Sequence, residues 1–97
     1  MDDIITRIKL DLRITHSKLD SDVGADIAAC LADLKLAGVT YKDETDPLIF
    51  NAIKLWCRSL YTDDIAKSAK YMERYEALKA SLMMADGYCR PEETDDE

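Results

Sequence analysis

The chain has 97 residues, of which 47% are hydrophobic and 34% charged, and with only 3 Gly and 2 Pro it has the profile of a soluble helical domain. Its formal net charge of -7 argues against wrapping nucleic acid, because nonspecific affinity for DNA comes from Lys and Arg that neutralise phosphates. No apolar run approaches the roughly 20 residues of a membrane span, and the start, MDDIITRIK, lacks the regions of a secretory signal.

A short amphipathic helix is predicted over residues 3–12. Its apolar residues recur at helical spacing and are Ile4, Ile5, Ile8 and Leu12. The helix is followed by a turn that contains the chain's single histidine, His16, beside Ser17. A nucleophile relay built on histidine could use only His16, and a short turn does not position it against a base or an acid. His16 is therefore interpreted as a plain turn residue.

A second helix is predicted from about Lys18 to Ala37, ended by Gly38 where left-handed backbone closes a helix. Its predicted core stripe is Leu19, Val23, Ile27, Cys30, Leu31 and Leu34. The opposite face carries small residues, Ala25, Ala28, Ala29 and Ala32. These alanines have two interpretations, helix propensity alone or a flat face that another subunit approaches closely. One edge between the two faces carries carboxylates, interpreted as a solvated flank: Asp22, Asp26 and Asp33.

The most apolar stretch, DPLIFNAIKLWCRSLY over residues 46–61, predicts a central helix around which the others pack. Asp46 suits the N-cap and Pro47 suits the first helical position. The polar residues of this helix form one narrow stripe, Asn51, Lys54 and Arg58. We expect Trp56 near the middle of the core, with an acceptor for its indole N–H.

A fourth helix is predicted from Asp64 to about Ala85, capped by Thr62 or Asp63. Its predicted inward stripe is Ile65, Ala69, Met72, Tyr75, Leu78 and Leu82. A basic stripe at i, i+3 and i+7 consists of Lys67, Lys70 and Arg74. Such a stripe is most often simply a solvated face.

The predicted fold is all-α: a compact bundle of about four helices around a central apolar helix, with a disordered acidic C-terminal tail. The helical domain covers residues 1–85 and the flexible tail covers residues 86–97. From Gly87 onward the sequence is too polar and too charged to join a core. The tail acids expected to contact a partner are Glu92, Glu93, Asp95, Asp96 and Glu97.

The three cysteines are widely separated and form no C-x-x-C pair, which argues against a zinc site or a disulfide framework. Cys30 and Cys57 are expected to be buried, and Cys89 is expected to react with thiol reagents. The chain has no glycine-rich phosphate loop and no H-E-x-x-H helix, so nucleotide binding and zinc hydrolysis lack their minimal parts. We therefore expect no catalytic residue, no cofactor and no metal.

The order of these parts resembles the small helical head-tail connector proteins (head completion or adaptor proteins) of tailed phages and prophages. Four features carry the resemblance: Leu12-Arg13-Ile14-Thr15-His16, the acidic entry at residues 18–23, the long helix to Gly38, and the segment from Pro47-Leu48-Ile49 to Leu60-Tyr61. The resemblance covers roughly residues 3–82 as patterns of residue type. The long acidic tail and the Trp56-Cys57 pair depart from the pattern.

The resemblance implies a structural protein, not an enzyme, that forms a ring under the portal, extends the DNA channel and contacts the next tail adaptor or stopper. The ring is expected to be dodecameric and the isolated chain monomeric. The implied location is the head-tail interface of the virion, after assembly in the host cytoplasm, with no membrane contact. An acidic surface suits a channel through which DNA passes without sequence-specific binding, because it repels a duplex.

A ring also needs contacts between two different faces of each subunit. The alanine face of the second helix is expected to provide one of them. The acidic tail is expected to dock on a basic face of a neighbour or of the portal, with Lys67, Lys70 and Arg74 as the candidate residues.

A second interpretation is a small helical regulator, similar to an antitoxin, that binds and inhibits a single protein partner. Its acidic tail would mimic nucleic acid, and the protein would be a monomer or a dimer. An enzyme ranks third, because the sequence contains no constellation of catalytic residues.

Overall fold

The computed structural model describes residues 2–13, 20–85 and 87–89, and this part of the chain contains four helices and no strand. The helices are α1 (Asp2–Leu12), α2 (Asp20–Leu36), α3 (Pro47–Tyr61) and α4 (Ile65–Met84). The predicted all-α bundle is confirmed. The predicted turn with His16, together with Leu19, lies outside the described residues.

α3 is the central helix, since it packs against each of the other three. The Asp46 carboxylate caps it by accepting hydrogen bonds from the N–H groups of Leu48 at 3.1 Å and Ile49 at 3.3 Å. Pro47 occupies the first turn, where a missing N–H costs nothing. Its fully buried side chains include Ile49, Ala52, Ile53 and Cys57. The prediction of a central apolar helix is therefore confirmed.

α2 ends at a left-handed glycine, as its sequence predicts. Gly38 has φ +94°. Its N–H bonds the carbonyl of Lys35 at 2.9 Å, and the N–H of Val39 bonds the carbonyl of Leu34 at 2.9 Å. These two bonds form a Schellman motif. Nothing lies within 4 Å of a Cβ placed at Gly38, so the backbone conformation, not lack of space, requires glycine here.

α1 is joined to the bundle by both apolar and charged contacts. Ile4 and Ile8 are buried in the common core. The guanidinium of Arg58 on α3 donates two hydrogen bonds to Asp11, from Nε at 2.8 Å and from Nη2 at 2.6 Å. Such a two-pronged pair fixes direction as well as distance. It sets the orientation of α1 against α3.

Trp56 lies at the edge of the core, and the prediction that it sits in the middle is wrong. The fully buried aromatic side chain is Tyr75 of α4, which Trp56 contacts edge-on with ring centroids 5.2 Å apart. The indole N–H of Trp56 is buried but has no hydrogen-bond partner among the described residues, so the expected acceptor is absent there. α4 fills the centre with its own ring, a placement that the sequence of α3 alone could not indicate.

The start of α4 also differs from the prediction. The N-cap is Asp64, whose carboxylate accepts from the N–H of Lys67 at 3.1 Å, and Thr62 instead accepts from the N–H of Asp64 at 3.2 Å. Ile65, predicted to face inward, is 87% exposed, and Ala69 is exposed too. At 3.6 residues per turn these residues lie about 80° and 120° round the helix from the buried Tyr75. The inward stripe therefore begins only near Met72.

Residues Gly87–Cys89, predicted to belong to the flexible tail, pack against the bundle. We call this segment the C-terminal strap. The carbonyl of Tyr88 accepts from the N–H groups of Thr40 at 2.9 Å and Tyr41 at 3.0 Å. The Tyr88 hydroxyl donates to Asp46 at 2.9 Å. The prediction that nothing after Gly87 joins the core is thus wrong for these residues, because one aromatic ring and three hydrogen bonds offset the polar composition.

Candidate functional site

The alanine face of α2 is open to solvent. Ala25, Ala28, Ala29 and Ala32 are all exposed. The buried residues of the same helix lie on its opposite side and are Val23, Ile27, Cys30 and Leu34. Leu36, one turn beyond Ala32 on the open side, is 89% exposed. A large apolar side chain next to four small ones gives a flat surface that no described part of this chain covers.

The carboxylate edge of α2 is only partly a solvated flank. Asp26 accepts a hydrogen bond from the hydroxyl of Tyr61 at 2.7 Å, and Asp33 accepts one from Tyr75 at 2.6 Å. Lys79 adds an ion pair to Asp33 at 2.9 Å. These contacts tie one edge of α2 to α3 and α4. They fix the rotation of α2 about its axis, and with it the outward direction of the alanine face.

The ionisation states of Asp33 and Tyr75 follow from their contacts. The hydrogen bonds from Tyr75 and then Lys79 hold the pKa of the Asp33 carboxyl below its usual range. Burial and the bond to Asp33 raise the pKa of Tyr75. Asp33 is therefore charged and Tyr75 is neutral across the physiological pH range. The contact is a structural hydrogen bond between a phenol and a carboxylate.

The basic stripe of α4 is exposed along its whole length, since Lys67, Lys70 and Arg74 all face solvent. No acid of the described chain forms an ion pair with any of the three. Of the acids of α4, Glu73 lies about 60° round the helix from Lys70 and about 100° from Arg74, and Glu76 lies about 160° from Arg74. The stripe is thus a cationic face on an acidic protein, available to an acidic partner.

The five acidic tail residues, Glu92, Glu93, Asp95, Asp96 and Glu97, lie outside the described residues. The last described residue before them is Cys89 of the strap. The Cys89 thiol approaches the carbonyls of Leu82 at 3.6 Å and Met83 at 3.4 Å, in the last turn of α4. Cys89 therefore lies beside the C-terminal end of α4.

The sequence analysis missed the exposed apolar residues at the two ends of the bundle. The loop end, where α2 ends and α3 begins, exposes Leu36, Tyr41, Leu48, Met83 and Met84. The turn end, where α3 ends and α4 begins, exposes Leu10, Leu60 and Ile65. Periodicity wrongly assigned Ile65 to the inward stripe of α4, and most of the others lie at helix ends or in a loop, where it gives no clear face.

The turn end also has an open cleft of about 400 Å³. Its charged residues are Asp11, Arg13 and Arg58. Asp11 and Arg58 bind each other, and the hydrogen bonds to Asp11 raise the pKa of Arg58. A guanidinium locked in this way is neither a base nor an acid near neutral pH. Asp11 and Arg58 of this cleft therefore form a structural ion pair.

The thiols and carboxylates of the described chain provide no metal centre. Within residues 2–13, 20–85 and 87–89, no three His, Cys, Asp or Glu side chains lie together as ligands. Cys30 and Cys57 are buried, as predicted, and burial raises the pKa of each thiol to about 12. They are protonated small core residues at neutral pH.

None of the four helices is both long and apolar enough to cross a membrane. Comparison of the chain with protein-family models, with curated proteins and with solved structures gave no significant match.

Proposed function

We propose that this protein is a structural head-tail connector subunit of a tailed phage or prophage. It forms a ring under the portal, extends the DNA channel and joins head to tail. The observation that carries the proposal is an α2 that is hydrogen-bonded to α3 and α4 along one edge and whose alanine face points outward, away from the core. An exposed face of small side chains lets a second subunit pack closely against it, as assembly of a ring requires. The protein acts without a catalytic residue or cofactor.

Ring closure uses the alanine face as one of two different surfaces on each subunit. Head-to-tail contacts between unlike faces close into a ring when the rotation from one subunit to the next is a whole-number fraction of a full turn. Small side chains allow the backbones of two helices to approach closely. The tie between Asp33 and Tyr75 supports this role, because it holds α2 in one rotation and so gives every subunit the same face.

Contacts along the channel axis use the two ends of the bundle. The loop end and the turn end both expose large apolar residues, including Met84 at 86% and Ile65 at 87%. One end would meet the portal and the other the next tail adaptor or stopper. Two unlike apolar ends suit a protein that sits between two different partners. DNA passes through the ring without sequence-specific binding, which suits a net charge of -7.

In the assembled ring the acidic tail docks on the basic stripe of a neighbouring subunit or on a basic surface of the portal. The stripe and the tail have opposite charge, and the stripe has no ion-pair partner in the described chain. Contacts of this kind weaken as salt rises, because exposed charges are screened.

The direct test is reconstitution with the portal protein encoded by the same phage or prophage. Purified chain and portal are mixed at low salt and analysed by light scattering after size exclusion and by negative-stain electron microscopy. The expected result is a ring of this protein added to one face of the portal. In isolated virions, the subunits are expected at the head-tail interface. Failure to bind the portal, combined with a tight one-to-one complex with a single cellular protein, would instead establish the antitoxin-like regulator.

A further inference from the structure

The basic stripe of α4 belongs to a larger cationic surface that crosses three helices. On α3, Lys54 and Arg58 lie one turn apart, and the Arg58 guanidinium is 5.9 Å from the ring centroid of Tyr71 on α4. Tyr71 is on the same side of α4 as the stripe, about 40° to 100° round the helix from its three residues. The Phe50 ring contacts Lys54, with Nζ 5.4 Å from its centroid, and the Arg7 guanidinium of α1, at 3.9 Å. We call this surface the basic face, and its cations are Arg7, Lys54, Arg58, Lys67, Lys70 and Arg74.

Most cations of the basic face have no acid bound to them. Arg58 is paired with Asp11, but the other five form no ion pair with any acid of residues 2–13, 20–85 and 87–89. Four of these five are exposed, and Lys54 is half-buried. Since the chain as a whole has a net charge of -7, its acids are concentrated elsewhere. Like charges gathered on one surface repel each other and are stabilised by an acidic partner.

The acids of α2 border the alanine face. The helix carries four aspartates and one lysine, a net charge of -3. Asp22 is exposed and lies about 20° round the helix from Ala29. Asp33 and Asp26 follow on the same edge, about 40° and 60° from Ala29. A helix that packs on the alanine face therefore brings its own side chains next to these carboxylates.

We infer that the alanine face and the acidic edge of α2 dock on the basic face of a second copy of this chain. The two surfaces have opposite charge and lie on different helices of one chain. Their contact is therefore head to tail, and every subunit uses one surface of each kind. That this contact closes a ring rests on the proposed function, whose second subunit surface it identifies. It leaves the acidic tail to the portal, one of the tail's two proposed partners.

A DNA duplex is the other polyanion that could meet the basic face, and it is the weaker partner. A duplex carries one charge per about 1.7 Å of its axis and repels a chain whose net charge is -7. A contact between copies also covers both of the uncovered surfaces, whereas DNA would cover only the basic one. Charge complementarity together with the open alanine face thus favours the second copy.

The test is zero-length carbodiimide crosslinking, which joins a carboxylate to a lysine in contact with it. Equal amounts of ¹⁴N and ¹⁵N chain are mixed at about 1 mM, a concentration that populates contacts with dissociation constants near that value. Mass spectrometry then separates links between chains, which contain both isotopes, from links within one chain. At about 20 mM salt we expect links between chains from Asp22 to lysines of the basic face, and at least tenfold fewer at about 0.5 M. Absence of these links at low salt would overturn the inference.

Two charge reversals at exposed positions make the result specific. The basic-stripe variant, Lys67→Glu, Lys70→Glu, Arg74→Glu, should reduce the remaining links between Asp22 and Lys54 at least tenfold. The control variant reverses two lysines of the loop end, Lys35→Glu and Lys42→Glu, and should leave the yield unchanged. Equal yields in the two variants would contradict a contact through the basic face.

Mixing variants tests the head-to-tail arrangement. The Asp22→Lys variant keeps an intact basic face, and the basic-stripe variant keeps an intact acidic edge. Each alone should sediment as a monomer, and their mixture should form a dimer and nothing larger. A duplex that binds the parent chain but not the basic-stripe variant, without any link between chains, would overturn the inference and assign the basic face to DNA. A ring on the portal that lacks these links would retain the proposed function and reject this contact.

Discussion

The hydroxyl of Tyr75 on α4 donates a hydrogen bond to the carboxylate of Asp33 on α2 at 2.6 Å. This hydrogen bond joins α4 to α2, two helices that pack mainly on α3. The ring of Tyr75 is fully buried, while its hydroxyl reaches the edge of the core where Asp33 and Lys79 meet. One residue thus fills the middle of the bundle and sets the rotation of the helix that carries the alanine face.

Replacing Tyr75 by Phe keeps the ring and removes only the hydrogen bond. Because the acceptor is charged but half-exposed, we expect the free energy of unfolding to fall by about 1–2 kcal/mol. This change in the free energy of unfolding is measured by urea denaturation monitored by circular dichroism. Tyr41→Phe, at an exposed tyrosine, should change stability by less than about 0.5 kcal/mol. Equal stability of Tyr75→Phe and the parent would show that the bond does not stabilise the fold.

The two buried cysteines predict a loss of stability at alkaline pH. Burial raises the pKa of both thiols from 9.0 to about 12 in the folded state. The contribution of the two protonated thiols to the free energy of unfolding is therefore fully present below pH 9. It is lost as pH rises toward 12, by about 1.4 kcal/mol per thiol and pH unit. The free energy of unfolding from urea titrations between pH 8 and 10 should fall progressively; the pH is kept below 10 because Tyr61 and Tyr75, whose pKa values are also raised, add to the loss above it. Cys30→Ala should reduce the slope, and an unaltered slope would contradict the assignment.

Asp46 has two structural partners that can be separated by mutation. Asp46→Ala removes both the cap of α3 and the acceptor of Tyr88, and should cost about 2 kcal/mol in thermal unfolding. Asp46→Asn retains most of the cap. Tyr88→Phe removes only the strap bond and should cost less than Asp46→Ala. Hydrogen exchange at the amides of Thr40 and Tyr41 should accelerate in Tyr88→Phe, and unchanged protection there would contradict a docked strap.

The alanine face should be essential for assembly and dispensable for folding. Ala28→Glu combined with Ala32→Glu adds charge and bulk to an exposed surface, so the unfolding free energy should change by about 0.5 kcal/mol or less. Ring formation or portal binding should weaken at least tenfold, or about 1.4 kcal/mol. The matched pair Ala28→Ser and Ala32→Ser preserves the small size and should assemble normally. Normal assembly of the glutamate variant would exclude this face.

Cys89 should be the thiol that reacts first. Cys30 and Cys57 are buried, whereas Cys89 is half-exposed in the strap. A chromogenic disulfide reagent should titrate one thiol rapidly in the native protein and all three in urea, since thiol access follows exposure. Cys89→Ser should remove the rapid phase. Two rapid thiols in the native chain would contradict the burial of Cys30 or Cys57.

The four helices, the start of α3 and the end of α2 could be predicted from the sequence because they depend on local chemistry, whereas the N-cap of α4 was predicted one or two residues too early. Asp46 and Pro47 start α3, and Gly38 ends α2, through contacts within a few residues. The apolar face of α2 was likewise predicted, because an amphipathic period defines a buried side without reference to the partner. The same reasoning located the alanine face and the basic stripe.

Only the tertiary structure decided which large residue fills the core and which carboxylates are paired. Tyr75 rather than Trp56 occupies the centre, and Asp33 binds Tyr75 instead of water, because those contacts join residues far apart in the chain. The exposure of Ile65 and the docking of Tyr88 have the same cause. Periodicity gives the direction of a side chain about its own helix, but burial depends on whether another helix lies in that direction.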